Sequence, residues 1–341
     1  MTAHQDLELR VLDLINDKTE SLRLMKAVYG NNSEVGRSEF YDWQYIDNPA
    51  GQALVVGFFT KENQLVSQVA SIPTSIIVNG TNRIHHMTLN IATEDAYRGR
   101  HLVSSLFAHI HKQFGGQFTF GMPNANSFNL HKRIGYEVIK IPILFKLIRP
   151  SKVNKNIPSF IDRMIYRIDK GAVESTQLLT TLFTEEHCVA EPSLEVFPIF
   201  RERNAKYLNW RFNSSSIREY VRFIHRRDRT SYLIGRAISI DKRKISIICE
   251  IKASNKEIAK DLIHSFCAYS LESEDISIVL SGFLKNNPPY YYLKLAGFHE
   301  LPDKLRPHPL ALCIKQLSPT RLVDFYNPCN WFFSLGDFDV F

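Results

Sequence analysis

The sequence predicts an α/β (α+β) fold of two tandem domains, each a mostly antiparallel mixed sheet flanked by helices, the second a degenerate copy of the first. Three observations predict it. The chain has 341 residues, more than one average domain. Its first half reads as helix, three-strand meander, loop, helix, strand, helix, strand. Its second half echoes two stretches of the first in the same order: "YDWQYIDNP" (41–49) in "YLNWRFNSS" (207–215), and "LHKRIGYEV" (130–138) in "YLKLAGFHE" (292–300). Trp43 and Trp210 lie 167 positions apart (210 − 43), and Gly135 and Gly297 lie 162 apart (297 − 135). One order at nearly one offset indicates a duplication.

Taken in order, residues 7–29 carry a helical pattern in Leu7, Val11, Leu14, Ile15, Leu22 and Met25. The aromatic stretch 37–51 ends in turn signals. Strand-like runs follow at 53–59, 65–78 and 84–92, the last two joined by an Asn79-Gly80 turn, which makes an antiparallel meander. Leu102, Val103, Leu106, Phe107 and Ile110 recur at helical spacing until Gly115-Gly116 stops them. "QFTFGM" reads as a strand and "PNANSFNLHKRIGYEV" as turn, helix and strand. These elements place a first domain at 1–148, a polar, proline-bounded linker at 149–160, and a second domain at 161–341. The second domain again reads as a meander followed by a helix near 255–271.

Composition narrows the class. Hydrophobic residues make up 44% and charged residues 23%, as in ordinary globular proteins. No run approaches ~18 apolar residues, so no membrane span is expected. The N-terminal stretch lacks a basic start and an apolar core, so no signal peptide is expected either. Cys188, Cys249, Cys267, Cys313 and Cys329 are odd in number and widely spaced, which is neither a disulfide framework nor a metal pattern. A reducing cytoplasm fits. The net charge of +7 is uneven: residues 201–244 hold thirteen Lys/Arg against four Asp/Glu. Such a field attracts an anionic partner, although a solvated basic face is the plain alternative.

"EDAYRGRHLVSSL" (94–106) places an Arg-Gly-Arg turn before an amphipathic helix. A helix start offers unpaired N–H groups and partial positive charge to a phosphate. His101 and Val103 present those groups if their dihedrals are ordinary helical ones, and Arg98 and Arg100 add charge-assisted bonds.

The order of elements, with "YRGRHLVSSL" (97–106) and "PNANSFNLHKRIGYEV" (123–138), resembles the GNAT acyltransferase superfamily. The first stretch is similar to the superfamily's pyrophosphate loop, Arg/Gln-x-x-Gly-x-Gly/Ala, with His101 and Val103 where glycines usually stand. The resemblance implies coenzyme A, as acyl-CoA, bound by Arg98, Gly99, Arg100, His101, Leu102 and Val103. It further implies that the strand end Asn90-Ile91-Ala92-Thr93 pairs with the pantetheine arm, and that Asn124 and Asn126 contact it. His131, four residues before Gly135, stands where many members carry a tyrosine that protonates the leaving thiolate. The general base stays open among His86, Asn90, Asp337, Asp339 and water.

"DWQYIDNPAG", "NAKYLNWRF" and "WFFSLGDFDVF" resemble tandem-GNAT N-acyltransferases encoded with polysaccharide biosynthesis genes, some of which acylate nucleotide-linked amino sugars. The acceptor implied is a dTDP- or UDP-linked amino deoxysugar. Tyr41, Trp43 and Tyr45 share one face of an extended segment and are candidates to stack on it, the alternative being an aromatic core clamp. Arg211, Tyr291 and Asp337 are further acceptor candidates. The second domain lacks an equivalent of "YRGR" and is expected to bind no coenzyme. Another amine (an antibiotic, a peptide or a protein) is the alternative acceptor. A non-catalytic RNA-binding protein is the alternative class, less favoured than the enzyme.

Overall fold

The apolar residues between Leu7 and Tyr29 do not form one helix. Glu8–Val11 is a strand, β1, and helix α1 runs Lys18–Tyr29. Two aspartates part them. The Asp13 carboxylate accepts the N–H groups of Ile15 and Asn16, and Asp17 accepts the Asp13 N–H and the Arg10 guanidinium. Short acidic side chains compete with a helix for backbone donors in this way. The computed structural model describes residues 6–114, 118–154, 156–165, 169–188, 196–213, 217–240, 243–306, 310–319 and 323–338.

The aromatic stretch is also helical where an extended segment was expected. α2 (Ser38–Tyr41) runs into one π-helical turn, Asp42–Ile46. Tyr41 and Tyr45 therefore meet edge-on at 4.6 Å, one turn apart, while Trp43 packs on Phe40 at 5.3 Å. All three predicted stacking residues are buried.

The meander is β2 (Leu54–Phe59), β3 (Leu65–Val78) and β4 (Thr81–Thr93). Asn79 (φ 48°) and Gly80 (φ 74°) are both left-handed, as a tight hairpin turn requires. Helix α3 (Leu102–Gln113) buries Leu102, Leu106, Phe107 and Ile110 among Val56, Val66 and Val69. Gly115-Gly116, the expected stop, lie outside the described residues. β5 (Phe118–Gly121), α4 (Ala125–Arg133) and β6 (Glu137–Lys140) follow.

Two units result: residues 1–139 with 311–326, and residues 140–310 with 327–341. The first unit's sheet runs β1-β2-β3-β4-β5, then strand Ala311–Gln316, then β6, with β4 and β5 parallel. The second unit's sheet runs 299–300, 143–147, 278–282, 243–252, 232–240, 221–225, 176–178, with 243–252 and 278–282 parallel around helix Lys256–Glu272. Strand Ala311–Gln316, expected in the second domain, thus completes the first sheet, and Ile143–Leu147, expected in the first domain, completes the second. Each incoming strand carries a lysine onto a helix end. Lys315 donates to the Ile134 carbonyl at the end of α4, and Lys146 to the Ala296 carbonyl at the end of helix Pro288–Leu295, both at 2.6 Å. Exposed carbonyls at a helix C-terminus favour such a cation. Gly135 (φ 87°) and Gly297 (φ 84°) follow these ends in matching left-handed geometry. The duplication read from the sequence is therefore repeated in three dimensions.

The expected linker is partly ordered onto the second unit. Pro150–Val153 is helical, and the Arg149 guanidinium donates to the carbonyls of Ser273 and Ile276. Among the described residues, no helix is long and apolar enough to cross a membrane.

Burial holds several first-unit histidines neutral. His85, His86 and His111 are each pushed down to about 4. The folded state then binds fewer protons than the unfolded chain below pH 6.5, so stability falls as pH drops from 6.5 towards 4. His85 alone, 1% exposed, contributes on the order of 3 kcal/mol over that window. His85→Phe is expected to flatten this acid limb in denaturant midpoints measured against pH, whereas an unchanged slope would contradict the assignment.

Candidate active site

The site begins where β4 and β5 part. They are in register only at His86↔Thr119 and Met87↔Phe120. Three residues on, β4 bulges: Ala70 of β3 faces Leu89, but Gln68 faces Ala92. Asn90 sits in the bulge at φ 51°, a left-handed backbone that Asn tolerates better than most residues. Its amide donates to the Gln44 side chain and to the Tyr45 hydroxyl (2.9 Å). The π-helical turn places those two partners, so the "DWQY" motif supports the bulge. Gln44 was not singled out by sequence reasoning. Its signal was its place between Trp43 and Tyr45 in that motif. Beyond the bulge, the Ile91 carbonyl accepts the Tyr29 hydroxyl at 2.7 Å, Ala92 is buried, and the Thr93 hydroxyl pairs with Ser67 at 2.8 Å.

The loop that follows leads to α3. Asp95–Tyr97 forms a short helical turn, Arg98 pairs with Asp95 at 2.8 Å, and the Arg100 guanidinium lies 5.0 Å from the centre of the Tyr97 ring. The Arg98–Asp95 pair is largely exposed. Such a pair contributes only about 0–1 kcal/mol, so a phosphate competes for the arginine. Glu94 is turned away onto Arg23 at 2.6 Å. No side chain caps α3, and its first turn carries no acidic residue. Gly99 (φ 81°) and His101 (φ 60°) are both left-handed. The ordinary helical dihedrals expected of His101 are therefore not present: it adopts a left-handed conformation, which glycine takes more readily than other residues. His101→Gly is expected to keep acyl-CoA affinity within about twofold. His101→Val, a branched residue at positive φ, costs about 1–2 kcal/mol of stability and weakens binding. Calorimetric titration with CoA checks both.

His131 lies on α4, 1% exposed, edge-on to Phe107 and Tyr136. Its Nδ1 is 2.9 Å from the Ser127 carbonyl. A carbonyl only accepts, so Nδ1 carries the hydrogen, and Nε2 of the neutral ring carries a lone pair. Nε2 has no partner. It lies beside Gly121, where a Cβ would come within 3.5 Å of it and within 2.8 Å of the Thr88 carbonyl. That is the step just past the last registered β4–β5 pair. Burial lowers the ring's pKa. The imidazolium that the expected proton donor needs is therefore disfavoured, and the buried Nε2 keeps its lone pair beside Gly121.

His86, in the registered β4–β5 pair with Thr119, stacks on Phe114 at 3.5 Å, at the far end of α3 from the loop. Asn124 caps α4 by accepting the Ser127 N–H at 3.0 Å, and Asn126 is exposed in that helix's first turn.

In the second unit, Arg211 is 2% exposed and donates to the carbonyls of Gly336 (3.1 Å) and Phe338 and to the Tyr220 hydroxyl. Asp337, 4% exposed, pairs with Arg203 at 2.8 Å. Both residues, expected on an acceptor, serve internal contacts. Tyr291 is exposed on helix Pro288–Leu295. Asp339 lies outside the described residues.

Residues 15–139 match the family model described as an acetyltransferase (GNAT) domain. These residues thus carry a GNAT-type acetyltransferase domain, a kind of domain that takes its acyl group from acyl-CoA. Among solved structures the chain is similar to a probable N-acyltransferase of Enterococcus faecalis, at 12% identity and TM-score 0.58, over 91% of this chain and 72% of that one. It is similar to Saccharomyces cerevisiae N-myristoyltransferase with bound myristoyl-CoA, at 12% identity and TM-score 0.54, over 91% and 82%. A GCN5-related N-acetyltransferase from Anabaena variabilis gives 10% identity and TM-score 0.59, over 92% and 73%. These likenesses concern the fold. No curated protein matches the chain by sequence.

Proposed function

We propose that the protein transfers an acyl group from acyl-CoA to the amine of a dTDP- or UDP-linked amino deoxysugar, in the assembly of a surface polysaccharide. The observation that carries the donor side is the parting of β4 and β5 beside an uncapped helix start. The pantetheine arm lies along Asn90–Thr93, and the pyrophosphate rests on the N–H groups from Gly99 to Val103, with Arg98 and Arg100 alongside. Coenzyme A supplies the thioester and a thiolate leaving group. Asn90, held by Gln44 and Tyr45, fixes the bulge against which the acyl carbonyl sits. His131 Nε2 receives the proton that the amine sheds as it attacks.

The acceptor assignment rests on the resemblance of the aromatic motifs "DWQYIDNPAG" and "NAKYLNWRF" to those of tandem-GNAT sugar N-acyltransferases. Arg201, Arg203 and Arg211 are buried, so the acceptor's diphosphate must find other cations. Free-thiol release from acetyl-CoA, measured with dTDP- and UDP-amino sugars beside peptide and antibiotic amines, tests the reading. Release with the sugars alone supports it, and release only with another amine replaces the acceptor.

A further inference from the structure

We infer that the second unit's counterpart of the acyl-CoA cleft is filled by the chain's own segment Trp331–Phe338, a built-in ligand that leaves one coenzyme site per chain. The comparison rests on the reading of the first unit's cleft given above. In the second unit, strands 243–252 and 278–282 are in register only from Ser246↔Val279 to Ile248↔Ser281. The first of them then bulges, since Gly235 faces Ile248 but Ile234 faces Glu250. The strands thus part beside a bulge, as β4 and β5 do. The space holds protein. Phe283, just past one strand, bridges to Ser334. On the other side, a Cβ on Gly336 would meet the Cys249 carbonyl at 3.2 Å, Glu250 Oε2 at 3.1 Å and the Phe212 ring at 3.0 Å.

The contacts on the segment fall at duplicated positions. The 167-residue offset that joins the tryptophans maps Gln44 and Tyr45 onto Arg211 and Phe212. Gln44 and Tyr45 meet the β4 bulge, whereas Arg211 donates to the carbonyls of Gly336 and Phe338. Asn287 precedes its helix as Asn124 precedes α4. Its amide donates to the Trp331 carbonyl at 2.8 Å and accepts the Phe333 N–H at 3.0 Å. Tyr207 and Arg201 donate to the carbonyls of Gly336 and Asp337. The segment's backbone is thus hydrogen-bonded from both rims, as a pantetheine arm would be.

A second feature agrees independently. Helix Lys256–Glu272, the counterpart of α3, is capped by Asn255, whose side chain accepts the Ile258 N–H at 2.9 Å, and Glu257 lies in its first turn. A capped helix start beside a carboxylate is a poor seat for a pyrophosphate.

Native mass spectrometry with CoA, paired with amide hydrogen exchange, tests this. One CoA per chain is expected. The amides of Phe333, Ser334 and Asp337 should be protected at least ~100-fold and unchanged by CoA. Gly336→Val, which forces a side chain into the filled space, is expected to raise exchange across 331–338 at least tenfold. Two bound CoA, unprotected amides, or protection lost on adding CoA would each overturn the inference. No bound CoA with the segment still protected would reject the first-unit site and uphold the plug.

Discussion

Arg203→Met is expected to destabilise the second unit by about 3–5 kcal/mol, a large part of the 5–15 kcal/mol that holds a typical domain folded. Arg203 Nη2 lies 2.8 Å from Asp337 Oδ2, and the guanidinium reaches Glu250 Oε2 at 3.1 Å. The three side chains are at most 5% exposed. Without the guanidinium, two carboxylates share a buried site with Ser334, whose hydroxyl donates to Glu250 at 2.7 Å. Burial already pushes the Glu250 carboxyl above its ordinary range. In the variant a carboxylate must take up a proton on folding, so its deficit shrinks as pH falls from neutral, opposite in sign to the histidine limb of the first unit. Glu250→Gln added to Arg203→Met should recover part of the loss. Urea midpoints at pH 7.5 and 5.5 check all three statements. A single variant within 1 kcal/mol of the parent would show that the arginine does not hold this cluster together.

His131→Phe is expected to lower kcat by about 10²–10⁴, the range of general acid–base catalysis, while acyl-CoA affinity changes by less than about twofold. The pH profile separates the two roles. A base whose pKa is held below 6.5 gives a kcat that rises through that pKa and stays level across neutrality. A proton donor would give a limb that falls with rising pH. The hydrogen bond from Nδ1 to Ser127 favours the first. An unchanged kcat in His131→Phe would remove the ring from the chemistry.

Much of the fold was legible because its signals are local. The β3–β4 hairpin follows from Asn79-Gly80 between apolar runs, and α3 from its apolar spacing. The exchanged strands were not legible. "ILFKL" and "ALCIKQ" read as strands anywhere, and nothing local says which sheet receives them. Tyr41, Trp43 and Tyr45 misled for a related reason: a three-ring alternation fits an extended segment, but tertiary packing wound it into a helix. In the candidate site, motif and order singled out the loop before α3 and Asn90, and the structure places Asn90 in the β4 bulge. The roles of Arg211 and Asp337 were not, since a polar residue that will be buried on its own chain looks like one awaiting a ligand. His131 was found by position, but its tautomer depended on the Ser127 carbonyl, one turn away and visible only in three dimensions.

The most direct measurement is a crystal structure with CoA bound. The pyrophosphate is expected within hydrogen-bonding distance of the N–H groups between Gly99 and Val103, with the thiol between β4 and β5 near Asn90 and His131. A pyrophosphate seated away from residues 98–103, or a coenzyme in the second unit with Trp331–Phe338 displaced, would contradict the account.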